Sequence, residues 1–97
     1  MVIWSKSGKK QLQKAFKFIS RDSVQNAQKI TDEIIDRTIS LSRHPEIYPP
    51  DKYKKNNKGN YRAFEIYHYR ISYRIVNDSV YIVRMRQQAC PHLHINT

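Results

Sequence analysis

The sequence predicts an α+β domain: a short N-terminal strand, then a two-helix hairpin packed on one face of a small, mostly antiparallel sheet whose last three strands form a meander. Three observations predict it. Apolar residues recur at helical spacing from Leu12 to Leu41, and they alternate with arginines at strand spacing from Tyr69 to Arg86. Between these stretches lies a segment of prolines, asparagines and lysines with no period at all. The 97 residues suit one domain, read over 1–97, with a flexible tail from about residue 88.

Val2, Ile3 and Trp4 read as a strand, and Ser5, Ser7 and Gly8 as a capping turn into a helix. Leu12, Ala15, Phe16 and Ile19 fall at i, i+3, i+4 and i+7, while Lys9, Lys10, Lys14 and Lys17 occupy the other sides. Asp22 and Ser23 both suit an N-cap, and Asp22 with Gln25 has capping-box spacing. Val24, Ala27, Ile30, Ile34, Thr38 and Leu41 continue one stripe, broadened by Ile35 and Ile39. That helix is expected to stop at His44, because Pro45 disfavours helical backbone in the residue before it. Leu12, Phe16, Ile19, Ile30, Ile34, Leu41, Ile71, Tyr73 and Val83 form the expected core.

From Glu46 to Asn60 the chain reads as a basic, irregular loop carrying Lys52, Lys54, Lys55 and Lys58. It is either a solvated connector or a phosphate-gripping arm. Strands follow over 61–67, 69–76 and 80–86, with Asn77 and Asp78 as a hairpin turn. Alternation puts Tyr69, Ile71, Tyr73 and Ile75 on one face and Arg70, Ser72 and Arg74 on the other. In the last strand the same rule sets Tyr81, Val83 and Met85 against Val80, Ile82, Arg84 and Arg86.

Eighteen Lys and Arg against eight Asp and Glu give a net charge of +10, for which a polyanion is the natural partner. No apolar run approaches the ~20 residues of a bilayer span, so no membrane association is expected. The single cysteine, Cys90, cannot close an internal disulfide, and the reading is a cytoplasmic protein. Cys90, His92 and His94 form a triplet without standard zinc spacing; it is read as disordered tail, and no metal or cofactor is expected.

The order of these features resembles the RelE/ParE superfamily of bacterial type II toxins across nearly the full length. The resemblance rests on Trp4 in a first strand, the helix hairpin, the His44-Pro45 stop and above all Tyr69-Arg70-Ile71-Ser72-Tyr73-Arg74, followed by the closing VYIVRMR. It implies a RelE-like fold and a toxin held inactive by a cognate antitoxin. It also implies one of two activities: ribosome-dependent cleavage of mRNA, with the ribosome and mRNA as partners, or inhibition of DNA gyrase. The nuclease reading leads, and it carries over Arg70 as the group on the scissile phosphate and Arg62 as the matching position of the preceding strand. Lys52, Lys54, Lys55, Lys58, Arg74, Arg84 and Arg86 would bind RNA phosphates. The family's closing strand commonly runs into His, Arg or Tyr; Gln87 and Gln88 stand there instead, which suits the gyrase alternative. A non-catalytic RNA-binding module is a third reading.

A metal-independent ribonuclease needs a base for the 2′-hydroxyl, a cation for the phosphorane and an acid for the leaving oxygen. Arginine performs only the middle task, since it stays protonated. His68, His92, a lysine of the 52–58 loop, Glu65 or a tyrosine would have to supply the others, and residue type alone selects none of them. With Arg70 projecting from an uncovered face beside Arg84 or Arg86, its removal is expected to leave stability unchanged or slightly raised.

Overall fold

The computed structural model describes residues 1–88. Strand β1 (Val2–Trp4) leads into α1 (Lys6–Ser20) and α2 (Val24–Ser40), and β2 (Tyr61–Ile66), β3 (Tyr69–Val76) and β4 (Ser79–Gln87) complete the domain. The sheet order is β1-β4-β3-β2, with β1 parallel to β4 and the other pairs antiparallel. Both helices cover one face. There Ala15, Ile34 and Leu41 meet Phe64, Ile66, Tyr69, Ile71, Tyr73, Val80, Ile82 and Met85 in one core, with Leu12, Ile19 and Ile30 half-buried at its margin. The tail with Cys90, His92 and His94 lies outside the described residues.

Each helix begins on a serine. Ser5 Oγ accepts from the Gly8 N–H at 2.9 Å, and Ser23 Oγ accepts from the Asn26 N–H at 3.0 Å, so Ser23 and not Asp22 caps α2. Gly8 is buried where α1 meets β4, and a Cβ there would stand 3.1 Å from the Ile82 carbonyl oxygen and 3.2 Å from the Trp4 ring. α2 ends at Ser40, and Leu41 to Arg43 continue as turns up to the expected stop at His44. Thr31 and Thr38 take buried positions on α2 because their hydroxyls donate to the Ala27 and Ile35 carbonyls at 2.8 Å each. Ile39, by contrast, is 56% exposed, so the stripe's apolar broadening faces outward.

The β2–β3 hairpin turns on two residues, Tyr67 and His68, with φ of 51° and 67°. Neither is glycine, which is why the turn is nearly invisible in the sequence. The Tyr67 hydroxyl donates to Glu33 of α2, and its pKa is raised first by this bond.

The pattern of β4 differs from simple alternation. Ser72 pairs with Arg84 but Tyr73 pairs with Ile82, leaving Val83 as an extra residue in a β-bulge. Val80 and Ile82 therefore face the core before the bulge and Met85 after it, while Tyr81, Arg84 and Arg86 share the open face; the expected grouping of Val83 with the core is corrected. β1 has ended by this point, and α1 supplies the missing partners. Ser5 Oγ donates to the Val83 carbonyl at 3.1 Å, and Gln11 Oε1 accepts from the Met85 N–H at 2.6 Å.

Candidate functional site

The open face of the sheet carries Arg70, Ser72 and Arg74 from β3 and Arg84 and Arg86 from β4, with Arg70 directly opposite Arg86 and Ser72 opposite Arg84. Like charges so placed repel, and a hydrophobic cover would leave them unpaired. Instead the 46–60 loop passes round the β2 edge. On the helical side Tyr48 stacks on Phe64, ring centroids 4.7 Å apart. Pro50 then bridges to Arg62, the Asp51 N–H donates to the Tyr61 carbonyl at 2.8 Å, and the loop emerges on the open face.

There it closes over Arg70. The guanidinium donates to Asp51 Oδ1 at 2.8 Å, lies 4.8 Å from the centroid of the Tyr53 ring and stands 4.0 Å from Glu65. The side chains of Arg70 and Asp51 retain only 16% and 13% of their exposure. Burial pushes the Asp51 carboxyl pKa up. The Tyr53 N–H, the bond from Arg70 and the charges of Arg70 and Lys54 outweigh it, and the net position is below the ordinary carboxylate value. Arg70 is thus an ion-paired, half-buried group rather than a free cation, and its removal would strand the Asp51 carboxylate, which the expectation of unchanged or slightly raised stability did not include.

Asp51, Tyr53, Lys54, Tyr61, Arg70, Ser72, Val83, Arg84, Arg86 and Gln88 line a cleft of about 460 Å³. Lys54 sits 4.5 Å from the Tyr61 ring centroid, with Arg74 5.5 Å from the same ring at the rim. Lys52 packs by Tyr53 at 5.2 Å, whereas Lys55 and Lys58 are exposed and do not line the cleft. The structure therefore gathers Lys54, Arg70, Arg84 and Arg86, with Arg74 beside them.

Arg62 belongs elsewhere. It pairs with Tyr73, on the helix-covered face, so it cannot share a phosphate with Arg70 across the sheet. Its guanidinium donates to the carbonyls of Tyr48 at 2.6 Å and Gly59 at 2.9 Å, clasping both ends of the loop. Gly59 holds φ of 99°, which an L side chain rarely adopts. Tyr73 works with it: its ring is fully buried, and its hydroxyl donates to the Pro45 carbonyl at 2.6 Å. Burial chiefly pushes that phenol up to about 12, against an opposing pull from Arg62.

Sequence reasoning missed Asp51, Tyr53 and Asn57. Asn57 Nδ2 donates to the Asp51 and Tyr61 carbonyls, and its Oδ1 accepts from the Gly59 and Tyr61 N–H groups, so one side chain ties the loop into a knot. Asp51 accepting from Tyr53 N–H is an Asx turn, the one local signal available. Among the described residues no histidine lines the cleft, and its one carboxylate is engaged by Arg70.

A solved structure of the chromosomal ParDE TA system from P. aeruginosa is similar in fold, with a TM-score of 0.73 at 12% identity over 91% of this chain and 95% of that one. No curated protein matches the sequence. The model of the family described as ParE toxin of type II toxin-antitoxin system, parDE, matches residues 2–89. With this match spanning nearly the whole chain, and with the helix hairpin and four-stranded sheet described above, the protein belongs to the ParE toxin family within the RelE/ParE superfamily.

Proposed function

We propose that this toxin acts as an inhibitor of DNA gyrase rather than as a ribosome-dependent mRNA endonuclease. The observation that carries the reading is the saturation of Arg70 by Asp51 and Tyr53, in a cleft lined by cations and tyrosines where, among the described residues, there is no histidine and the one carboxylate is engaged. Cleavage of RNA requires proton transfers at two oxygens, and arginine makes neither. Arg62, the second group the nuclease reading requires, is committed to the loop on the far side of the sheet. Inhibition of a protein target requires a surface and no proton transfer, and membership of the ParE family favours it.

A toxin of a type II system is paired with a cognate antitoxin. We place that partner on the helix hairpin, where Ile35 and Ile39 share one outward face of α2 and the excess positive charge favours an acidic segment. Toxin and target meet in the cytoplasm in this reading.

The test pairs two purified assays. Supercoiling by gyrase should stop as toxin is added and resume with antitoxin, and mRNA in a translation extract should stay intact at the same dose. Cut messages with unimpaired supercoiling would return the nuclease reading to first place.

A further inference from the structure

The two helices divide their charge between them. α1 carries Lys6, Lys9, Lys10, Lys14 and Lys17 with no acid, and Arg21 caps its end. Lys10, Lys14, Lys17 and Arg21, spaced by four, three and four, form one exposed row. α2 instead carries Asp32, Glu33 and Asp36 against Lys29 and Arg37. Glu33 accepts from Tyr67 and Arg37 donates to Tyr48, so both are engaged within the domain. Asp32 and Asp36 are exposed one turn apart, and Asp32 accepts only a bond from Gln28 of its own helix among the described residues. Among those residues neither acid, and no cation of α1, makes an ion pair. An apolar row runs beside the acidic one: Ile35 and Ile39 lie one turn apart on the outer side of α2.

We propose that this outer face of the hairpin is a self-complementary interface whose occupant is a second copy of the chain. Charge selects the occupant. An acidic segment matches α1 alone and a basic one α2 alone, whereas a second copy answers both. The hairpin's own geometry supplies the fit. A twofold axis lying between α1 and α2, along their direction, sets α1 of one copy antiparallel across α2 of the other, and symmetry repeats the pairing. The lysine row then meets Asp32 and Asp36 twice over, with Ile35 and Ile39 of both copies covered in the same contact.

A net charge of +10 opposes self-association, so the position of the remaining cations decides. The arginines of β3 and β4 lie on the open face of the sheet, where the loop with Lys52 and Lys54 also emerges. In this dimer the helices are innermost and both open faces turn outward, separated by far more than the ~8 Å Debye length at physiological ionic strength. At 15 and 17 residues the helices span about 22 and about 26 Å, and side by side they are about 20 Å wide. That face is roughly 500 Å² in plan, small beside the ~800 Å² per partner of a standard interface, so a micromolar Kd is expected. The contact stands independently of which target the toxin poisons. It covers the isoleucines on which the antitoxin is placed above, so the two occupants exclude each other.

The experiment is sedimentation equilibrium of the purified toxin between about 1 and about 300 μM, which brackets a micromolar Kd. Lys10→Glu/Lys14→Glu and Asp32→Lys/Asp36→Lys, all at exposed positions and checked for folding by Tm, should each weaken self-association at least about tenfold. Mixed one to one, these two variants should recover the dimer, because each reversed α1 then meets a reversed α2. Lys55→Glu/Lys58→Glu, which lowers the net charge as much as the α1 variant does but on exposed loop lysines, should dimerise as wild type does. Ile39→Ser should also weaken the dimer at least about tenfold, since its apolar surface is lost from both copies. A wild-type toxin that stays monomeric across the range, charge-reversed variants that associate as wild type does, or a mixture that remains monomeric would overturn the proposal.

Discussion

Arg70 and Asp51 offer the sharpest test of how the loop is held. Removing Arg70 deletes a charge-assisted bond of 2.8 Å and leaves an ionised carboxylate with only its Tyr53 N–H partner in a site where the side chain is 13% exposed. Hydrogen bonds to charged groups contribute about 1.5–3 kcal/mol, and the residual exposure of both partners argues for the lower half of that range. Arg70→Ala should therefore cost about 2 kcal/mol, which for a domain of this size lowers Tm by roughly 8–16 °C. Asp51→Ala should cost a similar amount, since it removes the acceptor for Tyr53 as well and frees Arg70 to repel Arg86. The double variant should cost distinctly less than the two together, leaving a coupling of about 1–1.5 kcal/mol. Urea melts of the four proteins give the coupling directly, and repetition at high salt should shrink it only partly, because the pair is largely shielded from solvent. Additivity within about 0.5 kcal/mol, or an Arg70→Ala protein as stable as wild type, would show that the ion pair contributes nothing and that the loop is held by its other contacts.

Acid should act through the same pair. The folded Asp51 pKa lies below the ordinary 3.8, so its contribution is fully present above that value and is lost as pH falls through the lower folded value; the Tm gap between wild type and Asp51→Asn should be flat at neutral pH and close in strong acid. Tyr73 works in the opposite direction: its contribution is full below 10 and is lost as pH rises toward about 12, so alkaline melts should destabilise wild type more steeply than Tyr73→Phe, which at neutral pH should be about 1–2 kcal/mol less stable through the unpaired Pro45 carbonyl. Arg62→Ala, which frees the Tyr48 and Gly59 carbonyls, should lower stability by about 2 kcal/mol yet retain toxicity at temperatures where it is folded; loss of toxicity with an unchanged Tm would reinstate it as a site residue. Asn57→Ala should open the loop to trypsin at Lys52, Lys54, Lys55 and Lys58 well before the rest of the domain is cut, and an unchanged digestion rate would remove Asn57 from its anchoring role.

The element order was legible because each signal was local. Leu12, Ala15 and Ile19 mark a helix by spacing alone, and Tyr69 to Val76 a strand by alternation alone. The core list was right at Ile34, Leu41, Ile71 and Tyr73, and overstated burial at Leu12, Phe16, Ile19 and Ile30, which are half-buried. The site was legible only as a charge pattern. Which arginines share a face depends on one inserted residue in β4, and Arg62 was separated from Arg70 by the simple fact that positions 62 and 70 pair with residues of opposite orientation. The loop was the least legible part, because Asn57 and Asp51 act through partners that come together only after the β2 edge is formed.

Val83 makes the last strand a ribbon with two grammars. Up to Ile82 the even-numbered positions point inward, and beyond the extra residue the odd-numbered Met85 does. Exchanging Val83 for another side chain alters one partly exposed contact, and deleting it would leave Ile82 and Met85 inward and Arg84 and Arg86 outward, whereas absorbing Val83 into regular alternation would drive the guanidiniums into the helical layer and lift Met85 onto the charged surface. The cationic face is thus encoded as much by the bulge that sets Val83 out of register as by the arginines themselves.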